Sequence, residues 1–175
     1  MASLTLEPAV LPSNPLVSDY LLTHGCTRLV VSAAVFQAIA CPPRLLLLQR
    51  AAHDFVPNRW ELPGGTAEAS GRVVAEAARE LFEETALTAS RAVAVVGTYN
   101  FSDGQGLWHK VTFLVEVQDG QAVVLDPDEH QAHVWASEAE ARNDKCGHVD
   151  IAWTFPEQKD MALEAFKALS MASKA

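Results

Sequence analysis

Apolar positions recur along this chain in two rhythms, and the changes between them mark out its elements. From Arg28 to Gln37, and again through Arg44 to Arg50 (RLLLLQR), the residues are almost continuously apolar over strand-like lengths. The Cys41-Pro42-Pro43 run between them supplies a turn, so two buried strands are expected. Val74, Ala77, Ala78, Leu81 and Thr85 are then spaced by three and four, which gives a helix one stripe to bury. Strand character returns in Arg91 to Tyr99 and in Leu107 to Val117, where Val111, Phe113 and Val115 share a face, with FSDGQG between them as a turn. Gln118-Asp119-Gly120 marks another tight turn, and Ala122 to Leu125 a returning strand. Helical spacing resumes at Ala162, Ala165, Phe166 and Leu169. Before it, Thr154-Phe155-Pro156-Glu157 fits a capping box with proline in the first turn. Pro8, Pro12 and Pro15 interrupt any periodicity near the start, so the division expected is an irregular arm over 1–27, a domain over 28–170 and a frayed tail over 171–175.

Composition narrows what such a domain can do. With 175 residues, 49% of them hydrophobic, the chain can bury a core of its own without a second domain. A net charge of −9 excludes a nucleic-acid polymer as partner, because gripping a phosphate backbone takes clustered Lys and Arg. A small phosphorylated ligand stays open, since a divalent ion reverses the local field. Cys26, Cys41 and Cys146 have no zinc-ligand spacing and read as free thiols of a reducing compartment. The first residues lack the basic start and apolar run of a secretory signal, and Leu29 to Ala40 is too short to cross a bilayer. No membrane partner and a cytoplasmic location are therefore expected; oligomeric state leaves no signature.

The candidate chemistry lies between Trp60 and Leu87. At about 100° per residue, Glu80, Glu83 and Glu84 fall within roughly 100° of one another beside the apolar stripe, so three carboxylates converge on one face. The turn Pro63-Gly64-Gly65 runs into that face, and glycine lets a carbonyl approach an ion without a Cβ in the way. Hard oxygens so clustered suit Mg²⁺ or Mn²⁺. A solvated helix face would carry the same acids, since like charges at i,i+4 cost only about 0.2–0.5 kcal/mol.

The spacing of the whole stretch resembles the Nudix box of diphosphate hydrolases: Gly, five residues, Glu, seven residues, then Arg-Glu-aliphatic-x-Glu-Glu-x-Gly-aliphatic. Gly65, Arg79, Glu80, Leu81, Glu83, Glu84 and Leu87 keep the pattern. Gly71 stands in place of its first Glu and Ala86 in place of its last Gly. Glu68 is the nearest acid able to stand in, and a glutamate restored at 71 is expected to be neutral or stabilising beside the helix start. QRAAHDFVPNRWELPGG, upstream, resembles the same segment of MutT-type enzymes.

Over 28–170 the resemblance implies an α/β fold, a Nudix-like α/β/α sandwich with a mixed β-sheet. It implies Mg²⁺- or Mn²⁺-dependent hydrolysis of a diphosphate bond in a nucleoside diphosphate linked to another group, with a small-molecule diphosphate as partner. Metal ligation falls to Glu80, Glu83, Glu84, Glu129 and the Gly64 carbonyl, and the four acids form the catalytic set, Glu80 or Glu129 taking a proton. Arg50 and Gly65 face substrate, and Arg79 orients the glutamates. Glu83→Gln or Glu84→Gln is expected to abolish turnover and spare the fold, both being placed on an exposed face. Phe55, Asn58 and Trp60 lie in a loop where an aromatic could stack on a base, although packing is the commoner role for Trp60. Asp150, Gln158 and Lys159 sit where MutT-type enzymes read a base edge, though solvation is their commoner fate. His130 and His133 read as surface residues, hard ions preferring oxygen. Two alternatives stay open: the same metal site acting on a non-nucleotide diphosphate such as a prenyl diphosphate, and a catalytically silent binding domain.

Overall fold

The computed structural model describes residues 4–174 except 38, 39, 103 and 105. In chain order the elements are β1 (Thr5–Leu6), α1 (Val17–His24), β2 (Arg28–Val35), β3 (Arg44–Arg50), β4 (Trp60–Glu61), β5 (Gly64–Thr66) and α2 (Val73–Thr85). They continue with β6 (Ala89–Ser102), β7 (Leu107–Val117), β8 (His130–Ser137), α3 (Glu138–Arg142), β9 (Lys145–Cys146), β10 (Val149–Asp150) and α4 (Pro156–Ala172).

The unbroken leucines of β3 explain the layering. Side chains alternate across a strand, so Leu46 and Leu48 enter one core while Leu45 and Leu47 enter another. The first core joins β2 and β7 to the apolar stripe of α2, in which Val74, Ala77, Leu81 and Thr85 are all at most 1% exposed. The second joins β3 and β8 to Ala162, Ala165 and Phe166 of α4. Sheet strands run β1-β6-β7-β2-β5, parallel between β2 and β7 and between β1 and β6, antiparallel elsewhere; β4-β3-β8 form a second, antiparallel sheet. This is the α/β/α sandwich with a mixed sheet that the resemblance implies.

The segment expected as an irregular arm instead carries α1, and it holds α2 in place. Asn14 Oδ1 accepts the Val74 N–H at 3.0 Å, and the Pro15 carbonyl accepts that of Val73 at 3.2 Å. These satisfy amides that the first helical turn cannot pair itself, a service worth about 1 kcal/mol for a side-chain cap. Val10 and Val17, fully buried, and Tyr20 fix the arm to the first core. Proline punctuation hid a helix of only 8 residues.

Two other local expectations fail. Ala122 to Leu125 form no strand: the segment hydrogen-bonds the end of α2 instead, Val124 N–H to the Thr85 carbonyl at 2.9 Å and Asp126 N–H to that of Glu84 at 3.2 Å. Thr154 does not cap α4; its hydroxyl donates to the Trp60 carbonyl at 3.2 Å, and α4 starts after Phe155 with Pro156 in its first turn. The capping box lies at α3, where Ser137 and Glu140 bond reciprocally. In the expected turn FSDGQG, Phe101 and Ser102 extend β6, while Asp103 and Gln105 lie outside the described residues. Ala172 ends α4 in the expected tail, of which Ala175 is outside the description. Among the described residues no helix is long and apolar enough to cross a membrane.

Candidate active site

Where α2 meets the Gly64-Gly65 turn, Glu80, Glu83 and Glu84 leave the helix in three directions. Glu83 is exposed and its carboxylate takes Arg79 Nη1 at 2.6 Å. Glu80, 9% exposed, accepts Arg79 Nη2 at 2.6 Å and packs against Gly65, where any Cβ would overlap its carboxylate. Glu84 is only 3% exposed and accepts the Gly64 N–H at 2.8 Å. Glu84 is therefore not on the exposed face that helical spacing alone assigned to it: α2 turns it inward, under the glycine turn. Of Gly64, the contact seen is this N–H, and a side chain there would overlap the Val31 carbonyl and Ser32, with φ at 150°.

Arg79 gathers the acids through a third partner that the spacing did not single out. Glu76, 7% exposed, accepts Arg79 Nη2 at 2.8 Å and Nε at 3.1 Å, and also the Glu68 N–H at 2.9 Å. Its carboxylate fills the space in which a Cβ at Gly71 would stand. The space beside position 71 is thus taken by Glu76, from the first turn of α2, and the expected stand-in Glu68 gives that carboxylate a backbone N–H. The signal was present in the i,i+3 spacing of Glu76 and Arg79. This reverses the expectation for Gly71→Glu, which must displace a buried carboxylate with three hydrogen bonds and put a second acid beside it. The variant should lose about 2–4 kcal/mol, an apparent fall of some 4–16 °C in Tm for a chain of this size. In urea denaturation, Glu76→Ala should remove most of that penalty, and additive losses would show that the two sites do not compete. At the other end of α2, Ala86 holds the left-handed conformation, φ 56°, at a cost of about 1 kcal/mol that glycine would avoid.

Opposite Glu84, β4 and β8 supply residues that periodicity passed over. Glu61, 6% exposed, takes Arg50 Nη1 at 2.6 Å. The rest of the Arg50 guanidinium is bound to Asp54 at 2.5 Å and to the Phe55 carbonyl at 2.9 Å. Lys110 of β7, 5% exposed, lies in the field of Glu61 and Glu84. His130, placed at the surface by its sequence context, is 2% exposed, its Nε2 3.6 Å from Glu61 Oε1 and too far to hydrogen-bond. His133 is exposed. Glu129 is exposed and set by its carbonyl, which accepts the Ala51 N–H at 2.8 Å. Carboxylate oxygens of Glu84 and Glu129 and a ring nitrogen of His130 all lie within 4.8 Å of one another. A cleft of about 360 Å³ opens here, lined among others by Arg50, Gly64, Gly65, Glu84, Glu129 and His130.

Burial governs the charge states. It pushes the Glu84 carboxyl well above the usual carboxylate range, the Gly64 N–H acting against it and Glu61, Glu129 and Glu80 reinforcing it. Burial also raises Glu80, which Arg79 partly offsets. At Glu61 burial acts upward, but Arg50, by charge and hydrogen bond, and the charge of Lys110 hold its carboxyl below the ordinary value. Burial lowers Lys110, with Glu61 and Glu84 opposing. Converging acids that raise one another have a physical use if a cation is shared among them, and the oxygen donors here fit a divalent ion.

The remaining candidates separate. Trp60 is 2% exposed and packs in the second core, whereas Phe55 is 79% exposed. Asp150 is exposed, Lys159 pairs with Asp144 at 2.7 Å, and Gln158 is buried with its Oε1 unpaired. A larger cleft, about 1100 Å³, lies away from these acids, against Leu87, Val93, Val115, Val123, Trp135 and Leu169.

Comparison with known proteins bears on this geometry. The family model of the NUDIX domain matches residues 28–156. A search of curated proteins finds no match to the chain. Among solved structures, an Ap4A hydrolase of C. elegans in a binary complex is 20% identical, with a TM-score of 0.64, covering 83% of this chain and 98% of that one. The NUDIX domain of Shewanella oneidensis NrtR, complexed with ADP ribose, is 21% identical with a TM-score of 0.62 and coverages of 81% and 87%. A MutT protein from Methanosarcina mazei Go1 is also 21% identical, with a TM-score of 0.61 and coverages of 80% and 93%. At such identities the likeness is one of fold.

Proposed function

From the premise that this chain belongs to the NUDIX family and is a Nudix-type hydrolase, we propose that it cleaves a diphosphate bond in a nucleoside diphosphate linked to another group, using Mg²⁺ or Mn²⁺. The observation that carries the reading is Glu84. This 3% exposed carboxylate faces a cleft beside Glu61, Glu80 and Glu129, and among the described residues its side chain takes one hydrogen bond, from the Gly64 amide. Such a group is costly to ionise where it stands unless a cation joins it.

Glu80, Glu84 and Glu129 would hold the ion, with Glu83 at the solvent rim and the Gly64 backbone at the mouth. When bound, the ion supplies neutralisation and polarisation of the phosphoryl group. Glu80 or Glu129 takes the proton from the attacking water; burial raises the affinity of Glu80 for it, which suits a general base. Arg79 positions Glu80 and Glu83 by direct hydrogen bonds. Arg50 and the Gly65 backbone, both lining the cleft, face the diphosphate. The water oxygen bonds to one phosphorus as the bond from that phosphorus to the bridging oxygen breaks; the bridging oxygen leaves on the other phosphate, and the water oxygen stays in the first.

One structural relative is an Ap4A hydrolase and another is complexed with ADP ribose; both compounds carry adenosine on a phosphoanhydride chain, which supports the substrate class. A panel of ADP-ribose, diadenosine polyphosphates, nucleoside triphosphates and prenyl diphosphates, assayed with Mg²⁺ and with Mn²⁺ for released phosphate, pyrophosphate and nucleoside monophosphate, tests it. Turnover of a nucleotide member is expected. Turnover of the prenyl compounds alone would move the chemistry to the non-nucleotide alternative, and binding without turnover would support a silent domain.

A further inference from the structure

His130 opens β8 directly across from Arg50, at a point where the β3–β8 register slips between Gln49 and Arg50. Such bulges re-aim a side chain beside a site. Here the imidazole is turned inward, 2% exposed, between neighbours Glu129 and Gln131 that face solvent. Neither ring nitrogen has a hydrogen-bond partner among the described residues, an expensive condition for a buried polar group. Glu61 does not resolve it, because its Oε1 is 3.6 Å away and already takes Arg50 at 2.6 Å. What does face the ring is the acid pair: one nitrogen and the carboxylate oxygens of Glu84 and Glu129 lie within 4.8 Å of each other, on the wall of the cleft.

We propose that a ring nitrogen of His130 joins Glu84 and Glu129 as a ligand of the divalent ion, so that this centre takes Mn²⁺ or Co²⁺ in preference to Mg²⁺. The inference rests on the metal-dependent reading above and adds the donor that decides between ions. Carboxylates alone suit Mg²⁺, which dehydrates reluctantly and seeks oxygen; an imidazole among them shifts affinity along the first transition row. His53 is another imidazole on this side, its Nε2 placed on the carbonyl of the cleft residue Asp128 at 3.1 Å, in an exposed loop.

The test reads coordination directly, without turnover. Untagged protein loaded with Mn²⁺ is measured by electron spin-echo envelope modulation. The expected spectrum carries a nitrogen-14 coupling that changes to the nitrogen-15 pattern when only histidine is labelled, persists in His53→Gln and is lost in His130→Gln. Equilibrium titration should show Mn²⁺ affinity falling about tenfold or more in His130→Gln, with Mg²⁺ affinity altered much less. If His130→Gln does not fold, His130→Asn is used in its place, and absence of a histidine coupling from the labelled wild type still overturns the proposal. Mn²⁺ bound with no histidine coupling overturns the role of His130 and leaves the metal site standing. Failure of the wild type to bind Mn²⁺ at millimolar concentration overturns that site and this inference together.

Discussion

Glu84→Gln should lower metal-dependent turnover at least about a thousandfold, equivalent to some 4 kcal/mol of transition-state stabilisation, while raising the Tm of the metal-free protein. Both effects come from one property: Glu84 is a carboxylate held under the Gly64 amide where burial and three other acids favour its protonated form. Its folded-state pKa is raised, so its contribution to stability is fully present below the unfolded value near 4.5 and is lost as pH rises through the folded value. Glutamine keeps an oxygen for the Gly64 N–H and has no charge to bury, so its advantage over the wild type grows with pH. About 1–2 kcal/mol is expected at pH 8, or roughly 2–8 °C, and less at pH 5. Saturating Mg²⁺ should reverse the order, because an ion at a hundred times its Kd stabilises the wild type by about 2.7 kcal/mol. Calorimetry with chelator and with Mg²⁺ measures both. A metal-free Glu84→Gln that unfolds early would make the carboxylate structural. Glu83→Gln should be milder in every respect, since Glu83 is exposed and, among the described residues, pairs only with Arg79.

Arg50→Ala should cost about 2–4 kcal/mol, some 4–16 °C, and so is more than a loss of substrate affinity. The resemblance makes Arg50 a substrate-facing cation whose removal should mostly raise KM. The structure engages its guanidinium with Glu61, Asp54 and the Phe55 carbonyl, and Glu61 is 6% exposed. Removing the arginine leaves Glu61 to Lys110, with His130 3.6 Å away and not hydrogen-bonded to it. The pH dependence has a definite sign. Glu61 has a lowered folded pKa, so its stabilisation is present above about 4.5 and is lost as pH falls through the folded value. The gap between wild type and Arg50→Ala should therefore be full at pH 7 and shrink below pH 4.5, in urea titrations at each pH. Arg50→Lys should recover little, as one ammonium cannot replace a fork reaching three acceptors. A pH-independent gap would mean that lost packing, not the ion pair, sets the cost.

These two residues show where a sequence stops being readable. The stripe Val74, Ala77, Leu81, Thr85 is legible because burial there repeats with the period of the helix, and the strand Arg44–Arg50 because an unbroken apolar run of strand length is buried on both faces. The box acids are legible by spacing, but their directions are not: Glu83 and Glu84 are adjacent in sequence, one exposed and the other 3% exposed, because the Gly64 turn covers only the second. Glu61, Lys110 and His130 are buried charged or polar groups whose nearest charged neighbours lie on other elements. Periodicity treats such residues as surface, and nothing local marks the exception. Glu61 carried the one usable hint, an acid between Trp60 and Leu62 in an otherwise apolar strand. Asn14 capping α2 from 60 residues away in sequence belongs to the same class, a local signal completed by a distant segment.

The most direct measurement of the central claim is hydrolysis in water enriched with oxygen-18, using the fastest substrate of the nucleotide panel and mass analysis of the products. Oxygen-18 should appear in a phosphate product, only with Mg²⁺ or Mn²⁺ present, and at least about a thousandfold more slowly with Glu84→Gln. Label in phosphate at an undiminished rate with Glu84→Gln, or with chelator in place of metal, would contradict the account.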